Sequence, residues 1–158
     1  MIAAAVVTVS DRSAAGVRAD TAGPVAVAAL REAGFACDDA RIVPDGADAV
    51  EQALRELLGT GIRFVVTSGG TGVSPRDQTP EGTARVIERQ VPGIAEELRR
   101  AGLASTPMSM LTRGLAGVVG DALIVNLPGS PKAVAEGMPI VLSTAAHVLS
   151  QLHGEDHR

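Results

Sequence analysis

The sequence predicts an α/β fold: a single three-layer domain with a mainly parallel central sheet flanked by helices, plus a C-terminal β-hairpin. Three observations point there. From Ala3 to Thr67 short apolar runs alternate with amphipathic helical segments, the order that yields a parallel sheet covered on both faces. The first run, Ala3 to Thr8, is almost uninterrupted in apolar character, as a strand buried on both faces requires. The chain of 158 residues matches one domain at about 150 residues each, and no repeat or linker divides 1–158.

After the first strand, Asp20 or Thr21 can cap a helix from Pro24 to Ala33, with Val25, Ala28, Ala29 and Leu30 at helical spacing and Gly34 as its stop. Phe35 to Val43 reads as a second strand ended by Pro44. Asp48 and Glu51 form an N-terminal capping pattern before the stripe Val50, Ala53, Leu54, Leu57 and Leu58, and Gly59 and Gly61 close that helix. Arg63 to Thr67 is a third strand that opens into Gly69, Gly70 and Gly72. Thr79 and Pro80 start a helix with Glu81 in its first turn, carried through Val86 and Ile87 towards Pro92, and Ile94 to Ala101 forms a further short helix. Gly117 to Val119 and Ala122 to Leu127 flank Gly120-Asp121, a tight hairpin turn. Lys132 to Gly137 and Pro139 to Leu152 read as helix, and Gly154 to Arg158 as a surface tail.

Composition narrows the function. Hydrophobic residues make up 46% and charged residues 20%, ordinary globular usage. The formal charge is -4, Lys132 is the only lysine and there is no basic run, which disfavours a nucleic-acid backbone binder. Aromatics are 1%, with no Trp or Tyr, so bases would have little to stack on. Cys37 stands alone, which excludes an internal disulfide and a multi-cysteine zinc site and fits a reducing cytoplasm. The run from Ile2 to Val9 lacks a basic leader and reads as a strand rather than a signal peptide. No apolar stretch approaches the roughly 18 residues that span a bilayer, so a soluble protein away from membranes is expected.

In open parallel α/β sheets, ligands sit beyond the carboxyl ends of the strands. The loops there are Ser10 to Gly16, with Asp11; Pro44 to Gly46; Ser68 to Glu81; and Pro128 to Pro131, and they combine small residues with hydroxyls and carboxylates. The run Thr67-Ser68-Gly69-Gly70-Thr71-Gly72 lets backbone amides approach an anion such as phosphate. It matches neither the Walker nor the dinucleotide spacing, and a plain strand-to-loop turn accounts for the glycines equally well. Asp45 and Asp77 fall on neighbouring carboxyl edges. A carboxylate pair beside a phosphate loop suits magnesium-assisted phosphoryl or nucleotidyl transfer, although either aspartate singly also suits a cap or turn. Thr112 and Arg113 could offer a hydroxyl and a guanidinium to an anion, or Arg113 could pair with a surface acid. Pro128-Gly129-Ser130-Pro131 leads into a helix, where Ser130 can cap and free amides can receive an anion. His147, His153 and His157 have no ligand spacing and read as surface or helix residues.

Thr8-Val9-Ser10-Asp11, Val43-Pro44-Asp45, the run from Thr67 to Glu81 with its Pro-Arg-Asp-Gln-Thr-Pro-Glu ending, and Leu127 to Val134 together resemble the Mog/MoaB-type molybdopterin adenylyltransferases of molybdenum cofactor synthesis. The resemblance covers nearly the whole chain in order. It implies that a molybdopterin phosphate oxygen attacks the α-phosphorus of Mg-ATP, with Asp45 and Asp77 as the catalytic pair and transient Mg²⁺ ligands. It implies no tightly bound metal or organic cofactor, a homotrimer or homohexamer, and a separate molybdate-inserting partner enzyme. The family's hydroxyl before the hairpin falls on Thr112, where the active plant-type domain has Ser, and the often acidic residue after the first aspartate is Gly46. The MoaB branch that lacks activity tends to lose the Pro-Asp and Pro-Arg-Asp steps, and this chain keeps both. A molybdopterin carrier without catalysis is the alternative, and the related domain of competence-damage proteins, acting on a nucleotide, is a third reading.

Overall fold

Side-chain alternation along three neighbouring strands determines how this molecule is layered. The computed structural model describes residues 1–154, so the tail from 155 to 158, with His157, lies outside the described residues. In β1 (Ala3–Val9) Ala4 and Val6 face one core while Val7 and Val9 face another; in β4 (Phe64–Ser68) Phe64 and Val66 oppose Val65; in β7 (Ala122–Leu127) Leu123, Val125 and Leu127 oppose Ile124. Each strand thus needs cover on both sides. The first core is closed by α2 (Ala22–Glu32), α5 (Pro92–Gly102) and α6 (Pro131–Leu152), the second by α3 (Ala47–Gly59) and α4 (Thr79–Ala84).

The sheet order is β2-β1-β4-β7-β6-β5, with β3 also on β1. Strands β1, β2, β3, β4 and β7 pair in parallel, and β5 (Arg89–Gln90) and β6 (Ala116–Val119) add an antiparallel edge. The chain crosses from β1 outward to β3 over one face and returns to β4 on the other side of β1 over the opposite face. That reversal opens a crevice between the carboxyl ends of β1 and β4.

Several expectations are corrected. The second strand is two short pieces, β2 (Ala36–Cys37) and β3 (Arg41–Val43), both on the same side of β1, because Asp38 and Asp39 leave the sheet and Arg31 pairs with Asp39. Asp48 and Glu51 do not cap α3: Gly46 occupies the cap position at φ +118, the Gln78 side-chain oxygen accepts from Ala47 N at 3.1 Å, and both acids pair with Arg85. Helix α4 stops at Ala84, and the chain after it forms β5 against β6. The segments around Pro139 are one continuous helix, in which the buried stripe Val134, Met138, Val141, Ala145 and Leu149 runs past an exposed proline. Packing along that stripe offsets a proline penalty of about 3 kcal/mol. Joined in this way, α6 is by length and composition long and apolar enough to cross a membrane, with 22 residues and a mean hydropathy of 1.3 over an 18-residue window, contrary to the expectation that no apolar stretch reaches such a length. Its stripe packs on β7 and α2 as a core helix does.

One buried polar side chain ties α4 to the sheet. Asn126 donates to the Thr67 hydroxyl at 2.9 Å and the Thr83 hydroxyl at 3.0 Å, and accepts from Leu115 N at 3.0 Å. Asn126→Ala would strand three polar groups away from water. It is expected to destabilise the fold by about 3 kcal/mol, read as a fall in melting temperature of roughly 6–12 °C.

Candidate active site

The loops after β1, β3, β4 and β7 meet over the crevice. Asp45, just past β3, and Asp11, just past β1, are held face to face: Asp11 N donates to Asp45 Oδ2 at 3.0 Å, and Asp45 N donates to Asp11 Oδ1 at 3.1 Å. Arg76, from the loop after β4, straddles both, with two bonds of 3.0 Å to the Asp11 carboxylate and one of 3.0 Å to the Asp45 carbonyl. Two parallel charged hydrogen bonds fix a geometry better than one. Asp11 therefore orients Asp45 and lines neither cavity at the site.

The glycine segment follows directly from Ser68, whose buried hydroxyl donates to Pro128 O at 3.0 Å. Gly70 has φ +67, and its α-carbon comes so close to Asp45 that an added Cβ would stand 3.1 Å from Oδ1; a Cβ on Gly72 would stand 2.9 Å from Asp77 Oδ2. Each aspartate thus lies against a bare stretch of the glycine loop. Asp77 is itself fixed by Ser74 N, which donates to Oδ2 at 3.1 Å. The amides of Gly70, Gly129 and Ser130 donate to no described backbone group and remain open to an anion.

Two cavities flank this point. A polar one of about 370 Å³ is lined by Ser10, Asp45, Ser68, Gly69, Gly70 and Gly129, together with Arg18 and Asp20. A largely apolar one of about 460 Å³ is lined by Thr71, Gly72, Thr112 and Pro128, with Leu98, Met108, Leu111 and Ile140 as its walls. Asp77 and Ser130 border both. Ser130 caps α6, its hydroxyl accepting from Ala133 N at 3.0 Å, and Pro131 begins that helix outside both cavities. Ser10 likewise caps the short α1 (Asp11–Ala14), accepting from Ser13 N at 3.2 Å.

Arg113 and Glu81 stand elsewhere. The guanidinium meets both Glu81 oxygens, at 2.7 and 3.1 Å, and donates at 2.8 Å to the carbonyls of Gly72 and Asp77. The pair braces the glycine loop, and neither residue lines either of these two cavities. Sequence reasoning did not place Arg18 and Asp20 at the site. Asp20 carried a signal, as the cap before Pro24, and it does accept from Gly23 N at 2.9 Å and from the Thr8 hydroxyl at 2.8 Å. The apolar wall from the 3₁₀ turn at Pro107–Leu111 had no periodicity to reveal it.

Burial pushes the Asp45 carboxyl above the usual carboxylate range, and the charges of Asp11 and Asp77 add to it, against the Asp11 amide bond and the Arg76 charge. The Asp11 carboxyl is held low, first by its hydrogen bonds to Arg76. Asp45 therefore takes up a proton more readily folded than unfolded. Its contribution to stability is greatest below the ordinary carboxylate range and is lost as pH rises through the raised value. Asp45→Asn keeps an oxygen for Asp11 N and removes the charge, so at neutral pH its melting temperature should equal or exceed that of the wild type. A lower one would show that the ionised carboxylate stabilises this loop.

Comparison with known proteins agrees with this geometry. Residues 5–147 match the family model described as a probable molybdopterin binding domain. The chain is 38% identical over 148 residues to a molybdopterin adenylyltransferase of Haemophilus influenzae, covering 90% of this chain and 74% of that protein. It is 36% identical to a molybdenum cofactor biosynthesis bifunctional protein of Chlorobaculum tepidum, covering 97% of this chain and 49% of that one, so the chain spans about half the length of such a relative. The structure of the molybdopterin biosynthesis Mog protein from Mycobacterium ulcerans superposes with a TM-score of 0.91 at 41% identity, over 96% of this chain and 99% of that one. Sequence, layers and loop arrangement together make this chain a member of the Mog/MoaB family of molybdopterin-binding domains.

Proposed function

We propose that the chain, acting as a single domain over 1–158, is a molybdopterin adenylyltransferase that moves AMP from Mg-ATP to the molybdopterin phosphate. The observation that carries this reading is the pair of cavities meeting at Asp77 and Ser130. A transferase must bring two ligands to one point, and a carrier needs only one cavity. The apolar cavity suits the flat pterin and the polar, amide-lined one the phosphate chain. The name of the Haemophilus influenzae relative supports the same reaction.

In the reaction an oxygen of the molybdopterin phosphate forms a bond to the α-phosphorus of ATP. The bond from that phosphorus to the bridging oxygen of the β-phosphate breaks, and pyrophosphate leaves with its electron pair. A phosphate oxygen needs no base to attack, so the chain's work is placement and charge control. The open amides of Gly70, Gly129 and Ser130 receive phosphate oxygens. Asp11 and Arg76 hold Asp45 in place, and the Arg113–Glu81 brace holds the loop that carries Asp77.

Magnesium fits the donor set. Among the described residues Asp45 Oδ1 and Asp77 Oδ1 take no hydrogen bond, Asp45 is crowded by like charge, and hard oxygen donors of this kind suit Mg²⁺. A pair of carboxylates that leaves the remaining positions to water and phosphate suits an ion that arrives with the nucleotide. When bound, it would offset the charge of the phosphates and the two carboxylates. The same reading takes a cytoplasmic setting, a homotrimer or homohexamer, and a separate molybdate-inserting enzyme that receives the product. Helix α6, with only 33% of its apolar window buried within the chain, offers a face for such assembly.

Pyrophosphate release from Mg-ATP with and without molybdopterin tests the proposal. Pterin-dependent release is expected. Its absence despite measured pterin binding would make this a molybdopterin carrier.

A further inference from the structure

Three arginines beside the site are fully engaged. Arg76 is taken up by Asp11 and the Asp45 carbonyl, Arg113 by Glu81 and two loop carbonyls, and Arg85 by Asp48 and Glu51. These three fix loops and line neither cavity. The wall of the polar cavity carries the carboxylates of Asp20, Asp45 and Asp77, and among the described residues its one cationic side chain is Arg18.

Arg18 differs from the loop-fixing arginines in being free. Its guanidinium has no hydrogen bond or ion pair to any described residue, while its backbone is well held. Val17 N donates to Arg12 O at 3.0 Å, Arg18 N to the same oxygen at 3.4 Å, and Gly16 N to Ser13 O at 3.1 Å. Two residues on, Asp20 is anchored at both carboxylate oxygens by Thr8 and Gly23, so it does not compete for Arg18. A firmly rooted, unpaired guanidinium on the rim of an otherwise acidic cavity is suited to a multiply charged anion, which its fork of donors can grip at two oxygens.

We infer that Arg18 binds the β- and γ-phosphates of the nucleotide, and so the pyrophosphate that leaves. This rests on the adenylyl-transfer reading. Gly70, Gly129 and Ser130 line this cavity together with Asp45 and Asp77, and Gly70 lies against Asp45, so the reacting α-phosphate falls to their amides. Arg18 lines the same cavity through a different segment, with Ala19, Asp20, Thr21 and Ala22, and to it we assign the outer phosphates. As a binding residue for the leaving group it sets nucleotide affinity and product release and leaves the pterin cavity untouched.

The test is calorimetric titration of Mg-ATP, AMP, inorganic pyrophosphate and molybdopterin into the full chain, its Arg18→Ala and Arg18→Lys variants, and Arg12→Ala, an arginine of the same segment that lines neither cavity. Arg18→Ala should weaken ATP and pyrophosphate about 10-fold or more, the usual loss for a charged hydrogen bond. AMP and molybdopterin should stay as in the wild type, Arg18→Lys should recover part of the loss, and Arg12→Ala should change nothing. Unchanged ATP and pyrophosphate affinity in Arg18→Ala, or a loss confined to molybdopterin, would overturn the assignment while leaving the adenylyl-transfer reading in place. A wild type that binds neither ATP nor pyrophosphate would overturn both.

Discussion

Asp77→Asn is expected to lower pterin-dependent pyrophosphate release at least about 100-fold while molybdopterin still binds. The variant isolates charge from shape. Asn retains an oxygen to accept from Ser74 N, now at 3.1 Å from Asp77 Oδ2, and the backbone carbonyl still receives the Arg113 guanidinium. The loop therefore keeps its path and the apolar cavity its wall. What disappears is one of two carboxylates lying against the glycine loop, at the only aspartate among the described residues that borders both cavities. If that carboxylate helps hold a magnesium nucleotide in place, the loss falls on the transfer step rather than on pterin affinity. Near-normal turnover with an unchanged melting temperature would remove Asp77 from the catalytic pair and leave Asp45 alone in that role.

The parts of this architecture that can be read from the sequence are those specified locally. The unbroken apolar run of β1 announces a strand buried on both sides, and Gly120-Asp121 announces its hairpin, because burial and turn chemistry are written in consecutive residues. Strand β5 could not be read in the same way. Arg89 and Gln90 are exposed and polar, and they are strand only because β6 lies beside them to pair. The same divide runs through the site. Gly70, Asp45 and Asp77 are recognisable by residue type, but the two roles open to Arg113, ligand or ion-pair partner, are separated only by Glu81, which is distant in sequence and adjacent in space. Arg18 gives no signal at all in the sequence. Its relevance comes from what surrounds it: Arg76, Arg85 and Arg113 are taken up by loop partners, whereas Arg18 is unpaired and lines the polar cavity.

Gly69→Ala is expected to destabilise the fold by roughly 2–5 kcal/mol, from a strained backbone and an overfilled contact together. Gly69 has φ +102, beyond the left-handed region that Asn or Asp tolerate, and an added methyl would press into the Val9 carbonyl oxygen. That obstacle is backbone at the end of β1, so it cannot rotate away as a side chain could. Relief would require β1 and β4 to separate where Ser10 and Asp11 begin, which would shift the Asp11–Asp45 clasp and lower activity as well as stability. Gly16→Ala provides the comparison. Gly16 has φ +74 with nothing within 4 Å of an added Cβ, so only the backbone penalty of about 1–2 kcal/mol applies. Melting temperatures of the two variants separate conformation from crowding. Gly69→Ala should fall well below Gly16→Ala and lose transfer activity with it. Equal losses would mean that the junction of β1 and the glycine loop yields easily, and that the position of Asp45 does not depend on the close approach of Gly69 to Val9.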